Sequence, residues 1–345
     1  MEGVGRPARR ADDDHSSGRE RSTVLGADDD SVHEAERANA VVTAVRAAVK
    51  HALMSWGLYA RRLRQQVFPG VVVLNYHGLR RDVWPPSTMA FENLHVTVDT
   101  FDAHCRVLRD TCDPISLDDW RAARAGVRPL PPRPVLITFD DGYRTVLTLG
   151  VPVLRRFGLP AAVFICSAPA RARTMLWFDA VARTSGEAAV ESLKSASYEE
   201  WAARTSLLAV PTSDDDPHAL LTPIEVATLS AIDGIEVGAH TVNHPILASA
   251  SLAVQRREIL ENKDSLEHWT AKRVSAFAYP NGRPGVDYTQ ESVGLVAELG
   301  FDFAFSTRPE FARSSDQPLE CPRFLMLASA SAQELAHRLC YSWPR

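Results

Sequence analysis

The chain has 345 residues, 45% of them hydrophobic and 23% charged, a composition that can bury a sizeable core. A net charge of −5 leaves no basic footprint, so nucleic acid is not expected as a partner. The five cysteines are scattered without a CxxC pair, which argues against a zinc knuckle or a disulfide framework and for reduced thiols.

Residues 1–37 carry "DDD" twice amid Arg, Ser and Gly and are expected to be disordered. Residues 38–69 read as a basic amphipathic helix, with five Lys/Arg and no acid between Ala40 and Gly70. Two readings stand: peripheral contact of residues 40–69 with an anionic membrane surface, or packing on the domain with a solvated basic face. The uncharged run His51–Ala60 is too short to span a bilayer. With no secretory signal at the start, the expected location is cytoplasmic, peripheral at the inner membrane surface if that helix binds lipid.

From Val71 onward, apolar runs alternate with helical patterns. Strands are predicted at 71–77, 134–139, 161–166, 234–240, 274–280 and 303–307. Helices are predicted over 98–112, from a capping box at Ser116, over 152–158, from Thr222, over 251–269, and ending at Gly300. This alternation implies an α/β fold with a parallel sheet, a barrel rather than an open sheet, over residues 70–345. A helical insertion at 168–221 interrupts the rhythm and reads as a lid or substrate wall.

Chemistry in such a fold sits at the C-terminal ends of strands. Asp140 and Asp141 follow the buried run "VLITF" directly. An Asp-Gly turn explains Gly142 but does not require two acids there. His77, the pair His240 and His244, and Tyr279 with Asn281 end three other strands. A spacing of four suits two metal ligands if the segment turns helically, although such pairs also arise by chance. Beside a strand-end carboxylate, two histidines make a three-ligand metal site with room for water. The second carboxylate is then free to act as a base.

Together, "TFDDG", "HTVNHP" and "FAYPNG" resemble the polysaccharide deacetylases, the NodB-homology group of carbohydrate esterase family 4. "NYHG", "SLDDW" and "PRF" resemble the branch whose domain opens on a Tyr-His strand, over about Val71 to Leu327. The resemblance implies a distorted (β/α) barrel and metal-dependent removal of N-acetyl groups from hexosamine units of a polysaccharide or its lipid-linked precursor, as in exopolysaccharide biosynthesis. It also implies Asp140 as the general base and Asp141, His240 and His244 as ligands of a divalent cation, zinc being the first expectation.

The chain departs from the family pattern at the third motif. Ala278-Tyr279-Pro280-Asn281 stands where many members have Arg-Pro-Pro-Tyr, so the Arg that orients the base is missing there. No Leu-x-His motif follows "PRF", and His337 sits in a helical pattern. The general acid is therefore expected to be His77. Tyr143, Trp177, Tyr279, Pro280, Asn281 and Arg323 are the expected substrate contacts. Two of these have a second reading: Trp177 as core, and Arg323 as the partner of Asp140 or part of a structural salt bridge. An O-acetyl esterase, an amidase on another substrate, and a non-catalytic carbohydrate-binding relative are the alternatives.

Overall fold

The computed structural model describes residues 27–55, 57–82 and 89–342. The chain divides into two compact units, 1–49 and 50–345. The disorder expected of residues 1–26 lies outside the described residues. The backbone is already helical from Ala27, which corrects the expected boundary at residue 37.

Helices α1 (Ala27–Ser55) and α2 (Leu58–Arg64) replace the single helix expected over 38–69. Gly57, at φ 69°, supplies the left-handed residue that breaks them. Tyr59, Leu63 and Phe68 are buried in the core of the second unit, so residues 59–68 pack there. Among the described residues, no helix is long and apolar enough to cross a membrane.

The second unit follows in order as β1 (Val72–Tyr76), β2 (Leu79–Arg80), β3 (Val96–Thr97), α3 (Val98–Thr111), β4 (Asp113–Pro114), α4 (Leu117–Arg124), β5 (Pro134–Phe139), α5 (Val151–Phe157) and β6 (Ala161–Ile165). Four insertion helices come next: α6 (Ser167–Ala172), α7 (Trp177–Ser185), α8 (Glu187–Lys194) and α9 (Tyr198–Thr205). The chain then completes α10 (Pro223–Ser230), β7 (Ile235–Ala239), α11 (Leu252–Thr270), β8 (Ala276–Ala278), α12 (Gln290–Glu298), β9 (Phe303–Phe305), β10 (Phe324–Leu325) and α13 (Ala332–His337). Both expected capping boxes form, Ser116 with Asp119 and Thr222 with Glu225.

The sheet is parallel throughout, in the order β10-β1-β5-β6-β7-β8-β9, with β4 beside β5. A parallel bridge between Phe305 and Cys321 links β9 to the segment entering β10, so the sheet curls into a distorted barrel. Alternation along each strand sorts its side chains into two cores. Val73, Leu136, Ala162, Phe164, Ala276, Ala278 and Phe305 fill the interior, and Trp120 of α4 plugs one end against Phe303. Leu74, Tyr76, Ile137, Val163, Val237 and Phe277 face the helices. The interior leaves no room for a side chain at Gly238: a Cβ there would lie 2.4 Å from the Phe164 ring.

The insertion carries a third core of its own. Leu176, Trp177, Val181, Val190, Leu193 and Trp201 close over Tyr143 and Cys166. It is thus a folded wall on the barrel rather than a loose excursion.

Candidate active site

The interior parity of the barrel carries polar residues up to its mouth. On β5 the inward sequence is Leu136, Thr138, Asp140; on β7 it ends at His240, and on β1 at His77. Strict alternation would send Asp141 to the opposite face from Asp140. Asp141 instead has φ 75° and Gly142 φ 84°, so the chain turns at the strand end and both carboxylates reach the same cavity. Thr241, His244 and Asn281 also sit at positive φ, a concentration of backbone strain of the kind found at functional sites.

His240 and His244 converge on Asp141. Their Nε2 atoms lie 3.4 and 3.5 Å from its Oδ1, and one ligand atom from each of the three falls within 4.8 Å of the others. The segment between the histidines is a bend rather than a helical turn. Thr241 and His244 in left-handed geometry bring the rings to 4.8 Å instead. His240 Nδ1 lies 2.7 Å from the Ala278 carbonyl, which can only accept, so Nδ1 carries the proton and Nε2 faces Asp141.

Burial pushes the His244 imidazole down to about 3, so it is neutral and available as a ligand. At His240 burial acts the same way, but the hydrogen bond to Asp141 and the two aspartate charges outweigh it and raise its pKa. For Asp141, burial raises the pKa, and the surrounding histidines reverse this and hold it well below the usual carboxylate range. Two imidazoles and one ionised carboxylate, all buried at the base of an open cavity, fit a divalent cation.

Asp140 belongs to a different partnership. Arg323, fully buried, forks onto both its oxygens at 2.7 and 2.8 Å and donates through Nε to the Ser306 carbonyl at 3.0 Å. Burial alone would raise the Asp140 carboxyl; the Arg323 charge outweighs it and holds it low. Asp140 is therefore ionised and fixed in orientation beside the three-ligand cluster. The arginine missing from the third motif is replaced by one 183 residues distant in sequence.

A cavity of about 750 Å³ opens over these groups. His77, half-buried, and Asn281 line it from the barrel, and Phe178, Glu187, Glu191 and Lys194 line it from the insertion.

The polysaccharide deacetylase family model matches residues 128–304, just over half of the chain. The chain belongs to the polysaccharide deacetylase family. Relatives agree with that assignment. The poly-β-1,6-N-acetyl-D-glucosamine N-deacetylase of Escherichia coli K12 is 44% identical over 48 residues, 14% of this chain but only 7% of that protein. YxkH of Bacillus subtilis 168 is 23% identical over 183 residues, 53% of this chain and 47% of that protein. Thus the matched region spans less than half the length of either curated relative. Two solved structures share the fold. The Streptococcus pyogenes deacetylase PplD has a TM-score of 0.58 at 22% identity, covering 78% of this chain and 98% of its own. IcaB from Ammonifex degensii has a TM-score of 0.57 at 18% identity, covering 80% and 99%.

Several expected substrate contacts of this deacetylase-family chain lie behind the cavity wall. Tyr279 is buried, stacks on Tyr288 at 3.8 Å and donates its hydroxyl to the Leu319 carbonyl. Pro280, next to it, is buried as well. Tyr143 donates to Asp179 at 2.7 Å, and Arg323 is held by Asp140 and Ser306. Trp177 donates its indole N–H to the His244 carbonyl at 2.8 Å, so it braces the histidine loop from outside. One residue further on the helix, Phe178 reaches the cavity and sets its ring edge-on to His244 at 5.1 Å. A sequence pattern marks an aromatic cluster but not which member faces in, because each step along a helix turns about 100°.

Sequence reasoning missed Glu258 and Asn262 on α11. Asn262 accepts from the His240 N–H at 3.0 Å and donates to the Ile165 carbonyl at 3.0 Å. Glu258 accepts from the Asn243 backbone and side chain at 2.9 and 2.8 Å. Both are buried, and they stand four apart. The available signal was polar residues on the helical stripe that also carries Ile259 and Leu266.

Proposed function

We propose that this chain is a metal-dependent de-N-acetylase acting on N-acetylhexosamine units of a polysaccharide or its lipid-linked precursor. One observation carries the reading: a buried Asp141–His240–His244 cluster beside an aspartate, Asp140, held ionised by Arg323, at the base of an open cavity. Family membership supports the hydrolytic class, and similarity to the E. coli poly-β-1,6-N-acetyl-D-glucosamine N-deacetylase supports a polymer of N-acetylglucosamine. Zinc is the ion we propose, because the donor set mixes nitrogen and oxygen.

Asp141, His240 and His244 would hold a divalent cation, which when bound would supply Lewis-acid polarisation of the acyl oxygen and a lowered pKa for water. Asp140, fixed by the Arg323 fork, takes the proton from the attacking water. His77, on a separate strand at the cavity edge, gives a proton to the departing nitrogen as the carbon–nitrogen bond breaks. Phe178 and the α8 residues close one side and limit water around the acyl group.

The test is acetate release from acetylated oligosaccharides before and after chelation. Activity should vanish on chelation and return with zinc, nickel or cobalt. Full turnover in a metal-stripped preparation would overturn the mechanism.

A further inference from the structure

Asn75 has no place in the mechanism above, yet it lines the same cavity. It lies on β1 opposite Thr138 of β5 and Leu325 of β10, two residues before His77. By parity with Val71 and Val73 it projects inside the barrel, one layer deeper than His77. It is 1% exposed, and neither its Oδ1 nor its Nδ2 has a partner among the described residues. Buried polar groups in folded proteins are nearly always hydrogen-bonded, and a carboxamide with both ends unmet destabilises the fold. A leucine of similar size would fill the same space without that cost. The Asn281 side chain, at another edge of the cavity, also has a buried Nδ2 without a partner among the described residues.

We infer that Asn75 is a specificity-determining residue whose carboxamide receives the acylamino group of the substrate, Oδ1 accepting the amide N–H beside the scissile bond. The inference rests on the deacetylase reading and narrows it. An amide offers a donor at that point; an O-acetyl ester offers acceptors only and leaves Oδ1 unmet. A site built to bond an N–H disfavours the analogue lacking it. Asn75 thus biases the site toward N-acetyl over O-acetyl sugars, while Asp140, the cation ligands and His77 serve either bond.

The experiment compares metal-loaded wild type and Asn75→Leu on an N-acetylated and an O-acetylated oligosaccharide, with thermal melting of both proteins. The ratio of amide to ester kcat/KM should fall roughly tenfold in the variant, the worth of one hydrogen bond, while Tm holds or rises. Equal losses on both substrates, an unchanged ratio, or a lowered Tm with parallel losses would overturn the role. If Asn75→Leu does not fold, Asn75→Thr, which suits a strand and has no carboxamide, carries the same comparison. Wild-type protein that releases acetate from the ester alone would overturn the de-N-acetylase reading itself, and the inference with it.

Discussion

At the scale of single residues, adjacent carboxylates have been given opposite surroundings. Asp141 faces two imidazoles; Asp140 faces a guanidinium. Asp140→Asn should therefore retain bound metal and lose turnover by about 10² to 10⁴, the usual contribution of positioned proton transfer. Asp141→Asn should lose the metal. Metal analysis of both purified variants separates the roles, and equal metal loss would refute them. His77→Ala should keep its metal and lose most amide turnover, because the departing amine needs a proton. Activated aryl esters, whose leaving group needs none, should suffer much less; matching losses would remove His77 from the acid role.

At the scale of elements, the insertion is tied to the turn that follows β5 through Asp179 of α7, whose carboxyl group accepts from Tyr143. Burial, the largest influence, pushes Asp179 up to about 7, against the weaker pull of His218, the Tyr143 hydroxyl and Arg183. The folded protein thus keeps a proton that the unfolded chain releases above about pH 4. Stability from this group is complete below that point and falls as pH rises toward 7, by ~4 kcal/mol at most. Asp179→Asn should therefore stabilise the protein most at pH 8 and little at pH 4; a pH-independent difference in Tm would contradict this. The strand ends bearing Asp140, His240 and His77 were legible because alternation and strand order are local patterns. The partnership of Asp140 with Arg323 was open to two readings because 183 residues separate them. Tyr279 was expected at the substrate, and Trp177 there or in the core, because amphipathic rings suit both a wall and a binding surface, and only packing decides. The bend joining His240 to His244 was invisible, since left-handed Thr241 breaks the preference of its own residue type.

At the scale of the whole molecule, the buried core of the second unit draws on residues from Leu53 onward. A chain beginning at Lys50 should melt at the same temperature and release acetate at the same rate as the full chain. Truncation past Phe68 should not be tolerated, because it removes buried Tyr59 and Leu63 as well. Within residues 41–49, Val41, Val42, Val45 and Val49 are exposed alongside Arg46, which suits an anionic lipid surface. Sedimentation with anionic vesicles should fall for the Lys50 chain; equal sedimentation of the two would exclude lipid contact by that helix. The left-handed residues at the barrel mouth bear on any effort to harden this protein. Thr241 is β-branched at φ 68°, and its hydroxyl accepts the His244 N–H at 3.0 Å. Asparagine, which tolerates the left-handed region, would relax that backbone and raise the melting temperature; glycine would relax it too, but would leave the His244 N–H without its acceptor. Either would also free the loop that aims His244. A thermostability screen run without an activity counter-screen would therefore collect substitutions at this rim, and the survivors would be long-lived proteins in which His244 is no longer held in place.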